Sequence, residues 1–204
     1  MRKIFVIGGN TVYANWMQGT LVEKLEEADL VVLTGGEDVS PKYYQQPAHK
    51  TTYNSPARDL YEIKEARKAI ELGIPIIGIC RGSQLSCVLA GGDLVQDQPN
   101  PRYIHPIKTY DDKEFEITST HHQAQLPFCL PKEEYKILAW TEKMLGYHKD
   151  GWDNEINPEV EVEICFYPKI KALAIQGHPE SMIENEPVIK WLQTLLTKHL
   201  NNEL

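Results

Sequence analysis

The sequence predicts an α/β fold: an open, mostly parallel sheet with helices on both faces and a small antiparallel extension. Two observations carry this. The apolar runs Ile4–Ile7, Leu30–Leu33 and Ile74–Ile77 are continuous and do not alternate, as in strands buried on both faces. Segments of helical spacing separate them, and strands joined through helices pair in parallel. At 204 residues the chain is long enough to bury one good core, so residues 1–204 read as a single domain.

The elements follow in order. Ile4–Ile7 opens the sheet and meets Gly8-Gly9-Asn10, which argues for a first strand over a signal peptide. Thr20–Ala28 has Leu21, Val22, Leu25 and Ala28 at helical spacing and predicts a helix. Leu30–Leu33 is the next strand and stops at Thr34-Gly35-Gly36. Pro41–Ala57, rich in proline and aromatics, reads as a long loop. Arg58–Leu72 is an amphipathic helix closed by Gly73. A strand, a turn at Gly78–Gly82 and a helix from Ser83 to Ala90 come next. After Gly91-Gly92 the pattern changes. Phe115–Thr118 and Tyr135–Trp140 read as shorter strands, the antiparallel extension. Glu161–Tyr167 alternates strictly, as a half-exposed strand does. Ala172–Gln176 is a buried strand, residues 145–160 are the expected mobile stretch, and Pro187–His199 closes the chain as a helix.

Composition narrows the class. Lys plus Arg total 21 against 29 Asp plus Glu, a formal charge of −8. With no basic cluster, neither nucleic acid nor an anionic membrane is expected as the main partner. No apolar run is long enough to span a bilayer. Cys80, Cys87, Cys129 and Cys165 are unevenly spaced with no C-x-x-C pair, which argues against a zinc ribbon or a disulfide framework. Reduced thiols in a cytoplasmic protein are the simplest reading.

Gly78-Ile79-Cys80-Arg81-Gly82 has the strand, glycine-flanked turn and helix of a nucleophile elbow, with cysteine as nucleophile. A buried structural cysteine beside an ordinary turn fits the pattern equally well. A cysteine nucleophile needs a base, and the base an orienting acceptor. His178-Pro179-Glu180 supplies both at the end of another strand. Carboxyl ends of strands in such a sheet converge on one crevice. The pair of strand ends favours a catalytic dyad over a surface-turn histidine.

These blocks together resemble the class I (triad) glutamine amidotransferase superfamily. Within it, Leu33-Thr34-Gly35-Gly36-Glu37-Asp38-Val39-Ser40-Pro41 with Tyr43-Tyr44, and Ser119-Thr120-His121-His122-Gln123-Ala124, resemble blocks of the γ-glutamyl-γ-aminobutyrate hydrolase family. The resemblance covers about residues 30–183 and implies a flavodoxin-like sheet. It implies Cys80 as nucleophile, His178 as general base and acid, and Glu180 as its orienter. It implies the amides of Gly36 and Arg81 as oxyanion donors and Gln84 as a glutamyl contact, with His121 and His122 bordering the same pocket. No metal and no cofactor are implied. The activity implied is hydrolysis of a small-molecule γ-glutamyl amide through a γ-glutamyl thioester. The alternatives are a glutaminase subunit serving a separate synthetase partner and a non-catalytic binding module on the same fold.

Several residues take structural readings: Cys87, Cys129 and Cys165 as packed side chains, Asp38 as a brace for the glycine loop, His105 as structural. The Arg81 side chain is left between a buried ion pair and a substrate contact. The chain also departs from the family. A single helix is expected between Ile7 and Leu30, where the family carries an extra strand and helix. Thr34 stands where proline is common. Gly177 stands where an aromatic is common, and is expected to widen the pocket. The segment Gly8–Trp16 would leave the sheet near the site, so Asn10 and Tyr13 are candidates to recognise the group on the γ-glutamyl nitrogen.

Overall fold

The structure is a computed structural model that describes residues 2–99, 104–141, 146–183 and 186–204. Its centre is a run of parallel strands: β1 (Arg2–Val6), β2 (Gly19–Leu21), β3 (Leu30–Leu33) and β4 (Ile76–Ile79). The helices among them are α1 (Pro56–Glu71) and α2 (Arg81–Ala90). Then come β5 (Asp93–Val95), β6 (Ile104–Thr109), β7 (Glu114–Thr118), β8 (Ala124–Leu126), β9 (Lys136–Thr141), β10 (Glu161–Tyr167), β11 (Ala172–Ile175) and α3 (Pro187–Leu200). Among the described residues the main sheet has nine strands in the order β2-β1-β3-β4-β11-β10-β9-β6-β7, and β5 pairs with β8 in a separate ribbon. From β2 to β11 every pairing is parallel, and from β11 to β7 every pairing is antiparallel. The order doubles back after β1, so the carboxyl ends of β1, β3, β4 and β11 lie side by side.

Strand periodicity assigns the two cores. Leu30 and Val32 face one side with α3, whereas Val31 and Leu33 face the other with α1. Both faces are covered, which is why these runs carry no polar residue. On the α3 face, Ile4, Ile77, Ile79 and Leu173 meet Val188, Leu192 and Leu195. Trp16 and Met17 from a 3-10 helix, Thr11–Met17, complete that layer.

Two expectations are corrected. Thr20–Ala28 is not a helix: Thr20 and Leu21 pair with Lys3 and Ile4 as the edge strand β2, and only a short 3-10 turn, Leu25–Glu27, follows. Leu21 stays exposed and Val22 is only half-buried, so the apolar spacing has no helical face to bury. Glu161–Tyr167 is not half-exposed, since every residue of β10 is buried. Its alternating glutamates are taken inside by histidines: Glu161 meets His148 and Glu163 meets His105, each at 2.8 Å. Pairing is what makes a buried carboxylate tolerable. The expected mobile stretch begins outside the described residues. From Gly146 onward it is tied down, with Lys149 bridging to both Asp97 and Glu155.

Candidate active site

The elbow is built by close approach. Cys80 sits at φ 52°, ψ −109°, between β4 and the first turn of α2. A side chain at that φ is strained, and strain of this kind collects at functional turns. A methyl group on Gly78 would lie 2.2 Å from the Gly82 carbonyl oxygen, and one on Gly82 would lie 2.3 Å from that of Leu33. Both positions therefore exclude any side chain. The amide of Arg81 belongs to the first turn of α2, where N–H groups have no partner within the helix.

His178 follows β11 and is held on three sides. Its backbone N–H donates to the Thr118 carbonyl at 2.9 Å, and the Thr118 hydroxyl donates back to the His178 carbonyl at 2.9 Å. Its Nδ1 is committed to Glu180 Oε1 at 2.7 Å. Nε2 lies 3.1 Å from Thr120 Oγ1. Burial alone would disfavour the imidazolium. The neighbouring Cys80 and Glu180 overcome this and raise the pKa to about 10. The arrangement therefore favours a protonated ring beside the sulfur.

The Thr34-Gly35-Gly36 loop lies against this pair. A methyl group on Gly35 would come within 3.2 Å of His178 Cε1 and 3.5 Å of Cys80 Cβ. It would also meet the Tyr13 hydroxyl at 2.8 Å. Burial together with the Glu180 and Cys80 charges pushes the Tyr13 phenol pKa up, so it stays neutral. Asn10 caps its own 3-10 turn, accepting from Val12 N at 3.4 Å. Asn10, Val12 and Tyr13 share a cavity of about 480 Å³ with Thr118, Thr120, His178, Glu180 and Ser181. The N-terminal loop thus stands beside His178.

The other expected site residues sit further in. Gln84 is buried and donates through Nε2 to the Gln123 carbonyl at 2.8 Å. His121 lies in the interior with Nδ1 3.4 Å from Gln98, and burial lowers its pKa to about 4. No contact among the described residues brings His121 to Cys80. His122 lies between Asp38 at 3.3 Å and Asp97 at 3.6 Å, and the bond to Asp38 leads in raising its pKa. Asp38 braces the loop, accepting from Tyr53 N at 2.8 Å. The Arg81 side chain is only 1% exposed and pairs with Asp59 and Glu62 of α1, so it does not reach toward the cleft.

Gly177 does not widen the pocket: a methyl there would lie 2.6 Å from Ile117 and 2.8 Å from the Thr118 carbonyl oxygen. The position is small because β7 presses on it. Cys87 and Cys165 are buried, and burial pushes the Cys165 thiol up to about 12. Cys129 is exposed, contrary to expectation. Its 3-10 turn spends Phe128 on an edge contact with Tyr135 and turns the sulfur outward. Thr118 and Thr120 carry no spacing signal in the sequence that marks them as neighbours of His178.

A cysteine in a strained turn, near a histidine that a carboxylate orients, is an arrangement suited to cysteine-nucleophile acyl transfer. The chain belongs to the Peptidase C26 family, whose model matches residues 7–127. That match includes Cys80, and His178 and Glu180 lie beyond it. A glutamine amidotransferase-like protein of Rickettsia prowazekii is 37% identical over 164 residues, covering 79% of this chain and 57% of that protein. A glutamine amidotransferase-like protein of Lactococcus lactis, YvdE, is 32% identical over 181 residues, covering 78% and 68%. The chain spans a little over half the length of the first of these. Among solved structures, PurLQS from Thermotoga maritima aligns with a TM-score of 0.64 at 15% identity, over 99% of both chains. A glutamine amidotransferase from the same organism aligns at 0.59 and 16%, over 100% of this chain and 86% of that one. These share the fold.

Proposed function

We propose that the protein hydrolyses a γ-glutamyl amide through a thioester on Cys80. The observation that carries this is the convergence of the strained Cys80 turn and the His178–Glu180 pair on the Gly35 backbone, where one added methyl would lie within 3.5 Å of both Cys80 and His178. The Cys80 sulfur attacks the γ-carbonyl carbon, and the carbonyl π pair moves onto oxygen. The amides of Gly36 and Arg81 donate to that oxyanion. The His178 imidazolium gives its Nε2 proton to the departing amine, and the C–N bond breaks. Neutral His178 then takes a proton from water, hydroxide adds to the thioester, and glutamate leaves as the C–S bond breaks. Glu180 holds the ring and stabilises its charge. Gln84 contacts the glutamyl group, His122 borders its pocket, and Asn10 and Tyr13 line the space for the amine. His121 supports the wall from behind.

A panel of γ-glutamyl amides scored for glutamate release tests this, with Cys80→Ala as the blank. Apart from His178, which is paired with Glu180, none of the described residues that line this cavity is basic. The preferred leaving amine is therefore one without a carboxylate or phosphate. Turnover retained in Cys80→Ala would refute the mechanism.

A second reading is that of a glutaminase feeding ammonia to a separate synthetase. Its support is the 30% identity over 121 residues to a carbamoyl phosphate synthase small chain of Helicobacter pylori. Glutaminase activity that appears only with a partner protein would favour it over the first.

A further inference from the structure

The geometry points to Arg58, on the first turn of α1, as the residue that fixes the direction of the Gly36 oxyanion donor. This inference rests on the reading of Cys80 as an acyl-transfer nucleophile. The Arg58 guanidinium donates through Nη2 to the Gly35 carbonyl at 2.7 Å and to the Thr34 hydroxyl at 3.1 Å. Its Nη1 donates to Glu37 at 2.5 Å, and its Nε to Glu62 at 2.7 Å. Three loop positions, Thr34, Gly35 and Glu37, and the next turn of α1 are thereby tied to one rigid planar group. A trans peptide places its C=O and N–H on opposite sides. With the Gly35 oxygen held toward α1, the Gly36 N–H must face the other way.

Two further features fit this role. Gly36 has φ 139°, and a methyl group there would fall 1.9 Å from Arg58 Nη1. The guanidinium occupies the space that a side chain on Gly36 would need. Thr34, where proline is common in the family, contributes an acceptor that proline lacks. The same turn of α1 also holds the second donor. Glu62 joins Arg58 to Arg81, and Asp59 joins Arg81 to Ser40. Gly36 and Arg81 are thus spaced by one ion-pair framework. Lysine cannot replace Arg58, because one ammonium cannot reach the fork of acceptors that the guanidinium spans.

The test uses Arg58→Ala and Arg58→Lys with γ-glutamyl-p-nitroanilide as the probe. A positioning role acts on charge that exists only in the transition state. In Arg58→Ala, kcat should fall about 10²–10³-fold, the effect of losing one oxyanion donor. KM should hold within about threefold, since ground-state contacts are untouched. Arg58→Lys should recover little, and millimolar guanidinium should restore part of the loss in Arg58→Ala. Alkylation of Cys80 by iodoacetamide forms no oxyanion and should proceed at the wild-type rate. Unchanged kcat in folded Arg58→Ala would overturn the inference. So would an alkylation rate that falls in parallel with kcat, which would mean a disordered elbow. If the wild type hydrolyses no γ-glutamyl amide, the functional reading fails by itself. A crystal structure of Arg58→Ala then decides the inference: a rotated Gly35–Gly36 peptide supports it and an unmoved one refutes it.

Discussion

Gly82→Ala isolates the geometry of the elbow. The added methyl would sit 2.3 Å from the Leu33 carbonyl oxygen, where ordinary contact begins near 3.4 Å. The shortfall is about 1 Å, and the obstacle is backbone. That carbonyl belongs to β3, which is pinned between β1 and β4. α2 must therefore shift, and Cys80 and the Arg81 amide shift with it. Overpacking of this kind costs about 1–3 kcal/mol. For a chain of this size that lowers Tm by about 2–4 °C per kcal/mol, or about 2–12 °C in all. Moving reacting groups by about 1 Å costs about 10²-fold in rate. Gly73→Ala is the control. Gly73 has φ +69° just past the end of α1, and a methyl there meets nothing nearer than 3.9 Å. It should lose about 1 kcal/mol from backbone strain and keep wild-type kcat. Thermal unfolding and γ-glutamyl-p-nitroanilide hydrolysis on both variants supply the comparison. Wild-type kcat and Tm in Gly82→Ala would refute the steric account of the elbow.

Other predictions follow from the same site. With His178 raised to about 10, its imidazolium is the working form at neutral pH, so kcat should fall as pH passes about 10. A profile that stays flat through pH 10 would count against that role. The same shift contributes stability that is complete below the unfolded value near 6.5 and disappears as pH climbs through about 10, so Tm should decline across that window more in wild type than in His178→Ala. His178→Ala should lower kcat by about 10²–10⁴-fold. Glu180→Gln should lower it less and bring the alkaline limb below pH 10, because the carboxylate charge helps hold the proton; an unmoved limb would remove Glu180 from that role. Asn10→Ala with Tyr13→Ala should weaken use of γ-glutamyl amines while Cys80 still forms its thioester. Unchanged kinetics across the amide panel would remove both residues from recognition.

Much of this was legible because it is local. Continuous apolar runs fixed β3, β4 and β11, and glycines at strand ends marked the turns where Cys80 and Gly36 stand. Thr20–Ala28 misled because its helical spacing spans too few residues to outweigh pairing with β1. Glu161 and Glu163 looked like an exposed face because their partners, His148 and His105, are distant in sequence and carry no spacing signal. The Arg58–Glu62–Arg81–Asp59 framework had one readable trace. Asp59 and Glu62 share the inward face of α1 with Ile63, Ala66 and Ala69, and carboxylates on an apolar stripe call for a buried cation. Which cation takes them, Arg81, depends on how α1 and α2 dock.

That docking bears on how the chain folds. Asp59 and Glu62 are 0% and 1% exposed, and Arg81 1%. If α1 settled on the sheet before the elbow formed, Asp59 would enter the core without its cation, at several kcal/mol, and Glu62 would keep only Arg58. The reverse order strands the guanidinium in the same way. Intermediates with only one of these elements in place are therefore penalised, and α1 and the elbow assemble in one cooperative step. Amide hydrogens of α1 and of the first turn of α2 should accordingly exchange through a common opening. The nucleophile turn is coupled to the global stability of the domain and does not fray as an isolated loop.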